Sequence, residues 1–238
     1  ASTALEKVVV TGDAAANLTV SLAGASLDTQ TSEFDASAAG GVITAHVTKG
    51  ASVNATVTMS AQGDFLDYNG AVASTATLDG GDGADTLQLD TDVAFSTTAT
   101  AQSASGISNF EVLRLESGVD VDERSLVNNA GITTVIAEAG GSYTKSTALA
   151  NLFQLTSGTF TTTAATDGTA DALSLSLAGA GVASVLVAAN VEALTIASGG
   201  ADMAARVWDL AQDRSHPVVS TFKSHTSSIT AMTVLQRS

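Results

Sequence analysis

The sequence predicts an all-β protein: a parallel β-solenoid or β-roll-like body with ligand-holding turns, then a short irregular C-terminal segment. Three observations predict it. Apolar residues alternate with Thr, Ser and other polar residues at a period of two, the strand signature. Whole phrases of sequence recur in the same order. Gly, Asn and Asp break the runs at intervals of roughly ten residues, the spacing of short strands in a repetitive β architecture.

Taken along the chain, the first strand phrase is Leu5-Glu6-Lys7-Val8-Val9-Val10, closed by Thr11-Gly12. It returns as Phe110-Glu111-Val112-Leu113-Arg114-Leu115 before Glu116-Ser117-Gly118. It returns again as Val191-Glu192-Ala193-Leu194-Thr195-Ile196 before Ala197-Ser198-Gly199. Leu18-Thr19-Val20-Ser21-Leu22-Ala23-Gly24-Ala25 reappears as Leu173-Ser174-Leu175-Ser176-Leu177-Ala178-Gly179-Ala180. Ile43, Ala45 and Val47 alternate, as do Val53, Ala55, Val57 and Met59. Asp85-Thr86-Leu87-Gln88-Leu89 is echoed by Asp171-Ala172-Leu173-Ser174-Leu175, and a glutamate phrase follows each of them. This repetition favours a solenoid, whose stability sums over neighbouring turns. Helical pattern is sparse, with a turn or two expected over 123–129 and 144–153.

Composition narrows the function. Acidic residues number 24 against 9 basic, a formal charge of −15, which is the wrong sign for a nucleic-acid surface. Only 14% of residues are charged and 45% are hydrophobic, which excludes ordinary disorder. With 4% aromatics, mostly Ala and Val remain to fill a thin interior. Bound divalent cations would offset repulsion among the carboxylates. There is no cysteine, so nothing staples the fold covalently. No apolar run approaches about 18 residues, so no membrane insertion is expected. The chain opens at Ala1 with neither an initiator methionine nor a secretory signal, which points to a piece of something longer.

A composition break divides the chain into 1–198 and 199–238. The latter holds the single Trp and Pro and two of the three His. Its four basic residues outnumber Asp202, Asp209 and Asp213, against a strongly acidic body. Gly199-Gly200-Ala201-Asp202 and Arg206-Val207-Trp208-Asp209-Leu210 resemble the end of a WD-repeat blade. Thr221-Phe222-Lys223-Ser224-His225-Thr226 resembles the start of the next, with Ser224 where Gly is usual. One blade cannot close a propeller. The tail is either a fused or misjoined fragment or a set of extra strands on the body.

The chemistry concentrates in Gly80-Gly81-Asp82-Gly83-Ala84-Asp85-Thr86-Leu87-Gln88, which fills every fixed place of the calcium-binding nonapeptide G-G-x-G-x-D-x-U-x. Glycines allow backbone angles closed to other residues and bring carbonyl oxygens close to an ion. The aspartate adds a hard anionic oxygen, which suits calcium. The competing reading is a Gly/Asp hairpin turn. With this nonapeptide, Phe34-Asp35-Ala36-Ser37 before Gly40-Gly41, and the three glutamate phrases, residues 1–198 resemble bacterial S-layer and related RTX-type surface proteins. The resemblance implies an extracellular calcium-binding β-solenoid on the bacterial cell surface, joined to copies of itself in a lattice. It also implies type I export through a C-terminal signal. Carried onto this chain, Asp85 is the side-chain ligand, and Gly81, Asp82 and Gly83 offer backbone carbonyls.

Calcium in such rolls lies between successive turns, so partner ligands are needed. Asp64 stands in Gln62-Gly63-Asp64-Phe65-Leu66, a decayed copy of the motif. Asp79 is a second candidate, with Asp67, Asp90 and Asp92 in the same stretch. Asp120 and Asp122 share one face of an extended strand, which suits either an ion or a solvated acidic loop. Asp167 and Asp171 are weaker. No enzyme is expected: there is no H-E-x-x-H, no G-x-S-x-G and no phosphate loop. His46 reads as an ordinary outward residue of a strand. Paired carboxylates without aromatics to stack sugars argue against glycoside hydrolysis. The leading function is a calcium-stabilised, self-assembling S-layer segment. The alternative is an RTX adhesin-type binding module that forms no lattice. A third reading, an intracellular WD scaffold, explains only the tail.

Overall fold

A computed structural model describes residues 7–12, 17–22, 32–48, 55–94, 104–129, 131–146 and 152–164, and six later strands named below. Two compact units divide the chain, Ala1–Ile132 and Thr133–Ser238. The composition boundary at 198/199 therefore falls inside the second unit.

The first unit is a parallel β-solenoid, and each turn contributes one strand to each of two sheets. Its turns comprise β1 (Lys7–Gly12) with β2 (Leu18–Leu22), β3 (Ser32–Ala39) with β4 (Ile43–Thr48), and β5 (Ala55–Thr58) with β6 (Phe65–Asn69). They continue with β7 (Thr77–Asp79) and β8 (Thr86–Leu89), then β9 (Ile107–Ser108) and β10 (Val112–Leu115). Odd strands stack in the order β1-β3-β5-β7-β9 and even strands as β2-β4-β6-β8-β10. Phe65 lies opposite Thr44, and Thr86 opposite Phe65, so the turns repeat every 21 residues through this stretch. A last short strand, β11 (Asp120–Asp122), runs beside Val93.

The period of two is what makes this stack. Inward residues line up in columns: Ala45, Leu66, Leu87 and Leu113 in one, Val47, Tyr68, Leu89 and Leu115 in the next. Phe34, Val57, Leu78 and Ile107 form the facing column. All twelve are buried. Within the stack Leu66, Leu78 and Leu87 each have a turn on either side, so a leucine here contributes about 2 kcal/mol only while both neighbours are in place. β-branched Thr and Val at the intervening outward positions suit the pleated surface. The interior is narrow, as its aliphatic composition requires.

The second unit repeats the plan. Its strands are β12 (Thr134–Ala137), β13 (Gly141–Ser146), β14 (Leu152–Leu155), β15 (Gly158–Ala164), β16 (Ala172–Ala178), β17 (Ser184–Ala189) and β18 (Ala193–Gly199). β12-β14-β16-β18 and β13-β15-β17 pair in parallel. The tail adds β19 (Ala204–Trp208) and β20 (Val218–Lys223), an antiparallel pair, and β21 (Met232–Thr233), antiparallel to β18. Beyond β18, these three short strands are what the structure describes of the tail.

One of the two helical expectations needs correction. Over 144–153 the described ends are strand: Thr144 belongs to β13, and Leu152 and Phe153 to β14. Parallel partners on β15 and β16 satisfy their backbone groups and override a weak local preference. Within 123–129, one 3-10 turn, Glu123–Ser125, forms where the Asp122 carboxylate accepts from Arg124 N at 3.1 Å. No helix among the described residues is long and apolar enough to cross a membrane.

Candidate functional site

Three connections on one corner of the first unit lead from the odd sheet to the even sheet, at 59–64, 80–85 and 109–111. The loop over 80–85 joins β7 to β8, which belong to different sheets, so it turns a corner and closes no hairpin. Register places Asp64 opposite Asp85, so the decayed motif and the intact one are successive copies of the same loop.

The glycines are required by contact as well as conformation. Gly81 has φ +91° and Gly83 φ +131°. A Cβ on Gly81 would stand 2.0 Å from the Ser60 carbonyl oxygen, and one on Gly83 2.5 Å from that of Gln62. Asp82 lies exposed at the loop tip between them.

Asp85 is fully buried. Its Oδ1 accepts from the Asp64 amide at 2.6 Å, while Oδ2 is buried with no partner. Asp64 is nearly as buried: Oδ1 accepts from Ile43 N at 2.7 Å, and Oδ2 from Ser60 N at 2.7 Å and Ser60 Oγ at 2.8 Å. Asp79 Oδ1 takes Gly81 N at 3.1 Å and Asn109 Nδ2 at 2.8 Å. Glu111 Oε2 accepts from Asp85 N at 2.7 Å. Burial pushes the Asp85 carboxyl up to about 7. The Asp64 amide opposes that rise, and the charges of Asp64, Glu111 and Asp79 add to it. Lys7 pairs with Glu33 and Asp35, His46 with Asp67, and Arg124 with Asp122, all away from this corner.

The structure thus gathers Asp64, Asp79 and Asp85 with Gly81 and Gly83, and leaves the other candidates elsewhere. Asp67 sits on the outward face, bonded to His46 Nδ1 at 2.8 Å, Asn69 Nδ2 at 3.0 Å and Gln88 Nε2 at 3.2 Å. His46 is outward, as its strand position indicates. Asp90 and Asp92 follow β8 at its far end, roughly 16 Å along the strand from Asp85. Asp120 and Asp122 share a face, yet Asp122 is engaged by Arg124 at 2.6 Å. Asp167 and Asp171 lie outside the described residues.

Sequence reasoning missed Glu111 as a member of this corner, along with Ser60 and Asn109. For Glu111 a signal existed, the recurring apolar-Glu-x-apolar-x-apolar phrase. Among the described residues, no group of three or more His, Asp or Glu is gathered so as to hold a metal by side chains alone. The donor set therefore fits calcium in one respect only: Asp85 Oδ2 is a buried carboxylate oxygen without a hydrogen-bond partner, the hard donor type that calcium takes. No family model matches the chain, and no curated protein or solved structure shows significant similarity to it.

Proposed function

We propose that this chain is a structural segment of a bacterial cell-surface layer, a calcium-stabilised solenoid that assembles with copies of itself outside the cell. The observation that carries the reading is Asp85 Oδ2, an orphaned carboxylate oxygen deep in a corner that also holds Asp64, Asp79 and Glu111. A divalent cation there would offset the charge that Asp64, Asp79 and Asp85 bring to one corner. Asp85 would hold it together with carbonyls of 81–83, and calcium suits such oxygen donors and loose loop geometry. The parallel stack supports a structural role, because its strength is additive along the axis.

Calcium titration by calorimetry, paired with melting curves in calcium, magnesium and chelator, tests this. Saturable calcium binding is expected, with a stabilisation of about 2.7 kcal/mol at a hundred times Kd and a smaller effect of magnesium. Electron microscopy of the calcium-loaded chain should then show ordered sheets. Binding without sheets favours the adhesin-type module, and no binding overturns the calcium reading.

A further inference from the structure

The acidic corner has a regularity that a metal site does not require. Ile43, Asp64, Asp85 and Glu111 stand in one register column, at the entry to β4, β6, β8 and β10. Each acid accepts a hydrogen bond from the backbone N–H of the residue one turn earlier: Asp64 from Ile43, Asp85 from Asp64, Glu111 from Asp85. One turn further on the acceptor is an amide. Asn129 Oδ1 takes Phe110 N at 2.8 Å, and its Nδ2 donates to Phe110 O at 3.0 Å. At the far corner Asp90 Oδ1 likewise accepts from Gly70 N, one turn earlier, at 2.7 Å, whereas Asp92 Oδ1 accepts in the opposite sense, from Asp120 N one turn later, at 2.9 Å.

We infer that these side chains form a metal-independent register lock, in which each turn reads the backbone of its neighbour through a carboxylate or amide oxygen. The apolar columns cannot do this alone. A slip of one residue turns every apolar side chain outward and is excluded by burial. A slip of two would set Leu66 against Leu89 or Leu87 against Leu115, leucine on leucine, at little loss. The lock removes that degeneracy. A two-residue slip takes Glu111 off the Asp85 amide, and it strands Asp85 away from the Asp64 amide, leaving a buried N–H and a buried carboxylate oxygen without each other. It also gives Asp64, Asp85 and Glu111 backbone amides as partners in a chain where basic residues are few.

What the lock needs is an acceptor oxygen, not a charge, as Asn129 demonstrates. The test compares Asp85→Asn with Asp85→Ala in the full chain, in chelator. Asp85→Asn should melt at or above the parent temperature, and Asp85→Ala about 5 °C below it. Hydrogen exchange gives a second, local readout. The Asp64 amide should exchange at least tenfold faster in Asp85→Ala and at the parent rate in Asp85→Asn. If the two variants fall together, or if the Asp64 amide is indifferent to both, the lock is overturned. The calcium reading fails or survives separately, because it requires both variants to lose the calcium-dependent rise in melting temperature.

Discussion

Gly81→Ala is expected to destabilise the first unit by about 4 kcal/mol or more, among the largest effects open to a single methyl group. Gly81 sits at φ +91°, and its new Cβ would fall 2.0 Å from the Ser60 carbonyl oxygen, an overlap that only backbone movement relieves. That movement would pull the 80–85 loop off the 59–64 loop and with it the Asp64–Asp85 hydrogen bond. Gly118→Ala is the control. Its φ of +76° is equally unfavourable to alanine, but nothing lies within 4 Å of the added carbon. It should lose only about 1 kcal/mol, the conformational part. Urea unfolding of both variants, followed by circular dichroism, separates strain from collision. Equal losses would mean that the loops are not in contact as described.

The fold was legible because its evidence is spread over many residues. Alternation in Ile43-Thr44-Ala45-His46-Val47 survives any single substitution, and its repetition demands a stack. Thr144 to Phe153 was misread for the converse reason: a short segment of mixed polarity has no period to read, and its partners on β15 and β16 lie far along the chain. Parallel pairing is set by residues about 20 positions away, which local propensity cannot see.

The corner was legible only in part, for a related reason. Asp85 stood out because glycines mark it, and Asp64 because its own loop decays from the same pattern. Glu111 was visible as a repeated phrase, but what it touches depends on register. Only pairing Thr86 with Val112 brings Glu111 opposite Asp85. Asp67, Asp90 and Asp92 have the same chemistry and nearly the same sequence distance, yet the strand turns Asp67 to the outer face and carries Asp90 and Asp92 to the other corner. Proximity in sequence says little where each strand separates its two ends by a sheet's width.

Without metal, stability should fall as pH rises from about 4 to 7. The Asp85 carboxyl is pushed from 3.8 up to about 7 in the folded chain, first by burial and then by neighbouring carboxylates. Below pH 3.8 both states hold the proton and the group exerts no penalty. Between 3.8 and about 7 the unfolded chain has released it while the folded chain keeps it, so each rise in pH favours unfolding. Above 7 both are ionised and the loss is complete, up to about 4 kcal/mol over the window. Asp35 is shifted the other way by its Ser37 hydrogen bonds, so its effect falls below this window, at more acid pH. Calcium should invert the behaviour of Asp85: a cation at Oδ2 favours the ionised form, so binding near pH 6 expels a proton and flattens the slope. Urea midpoints from pH 4.5 to 7.5, in metal-free buffer and in calcium, measure both effects. Asp85→Asn should show neither. A metal-free chain that is as stable at pH 7 as at pH 4.5, with Asp85→Asn running parallel to it, would mean that the buried carboxyl is already satisfied, and the case for a cation there would go with it.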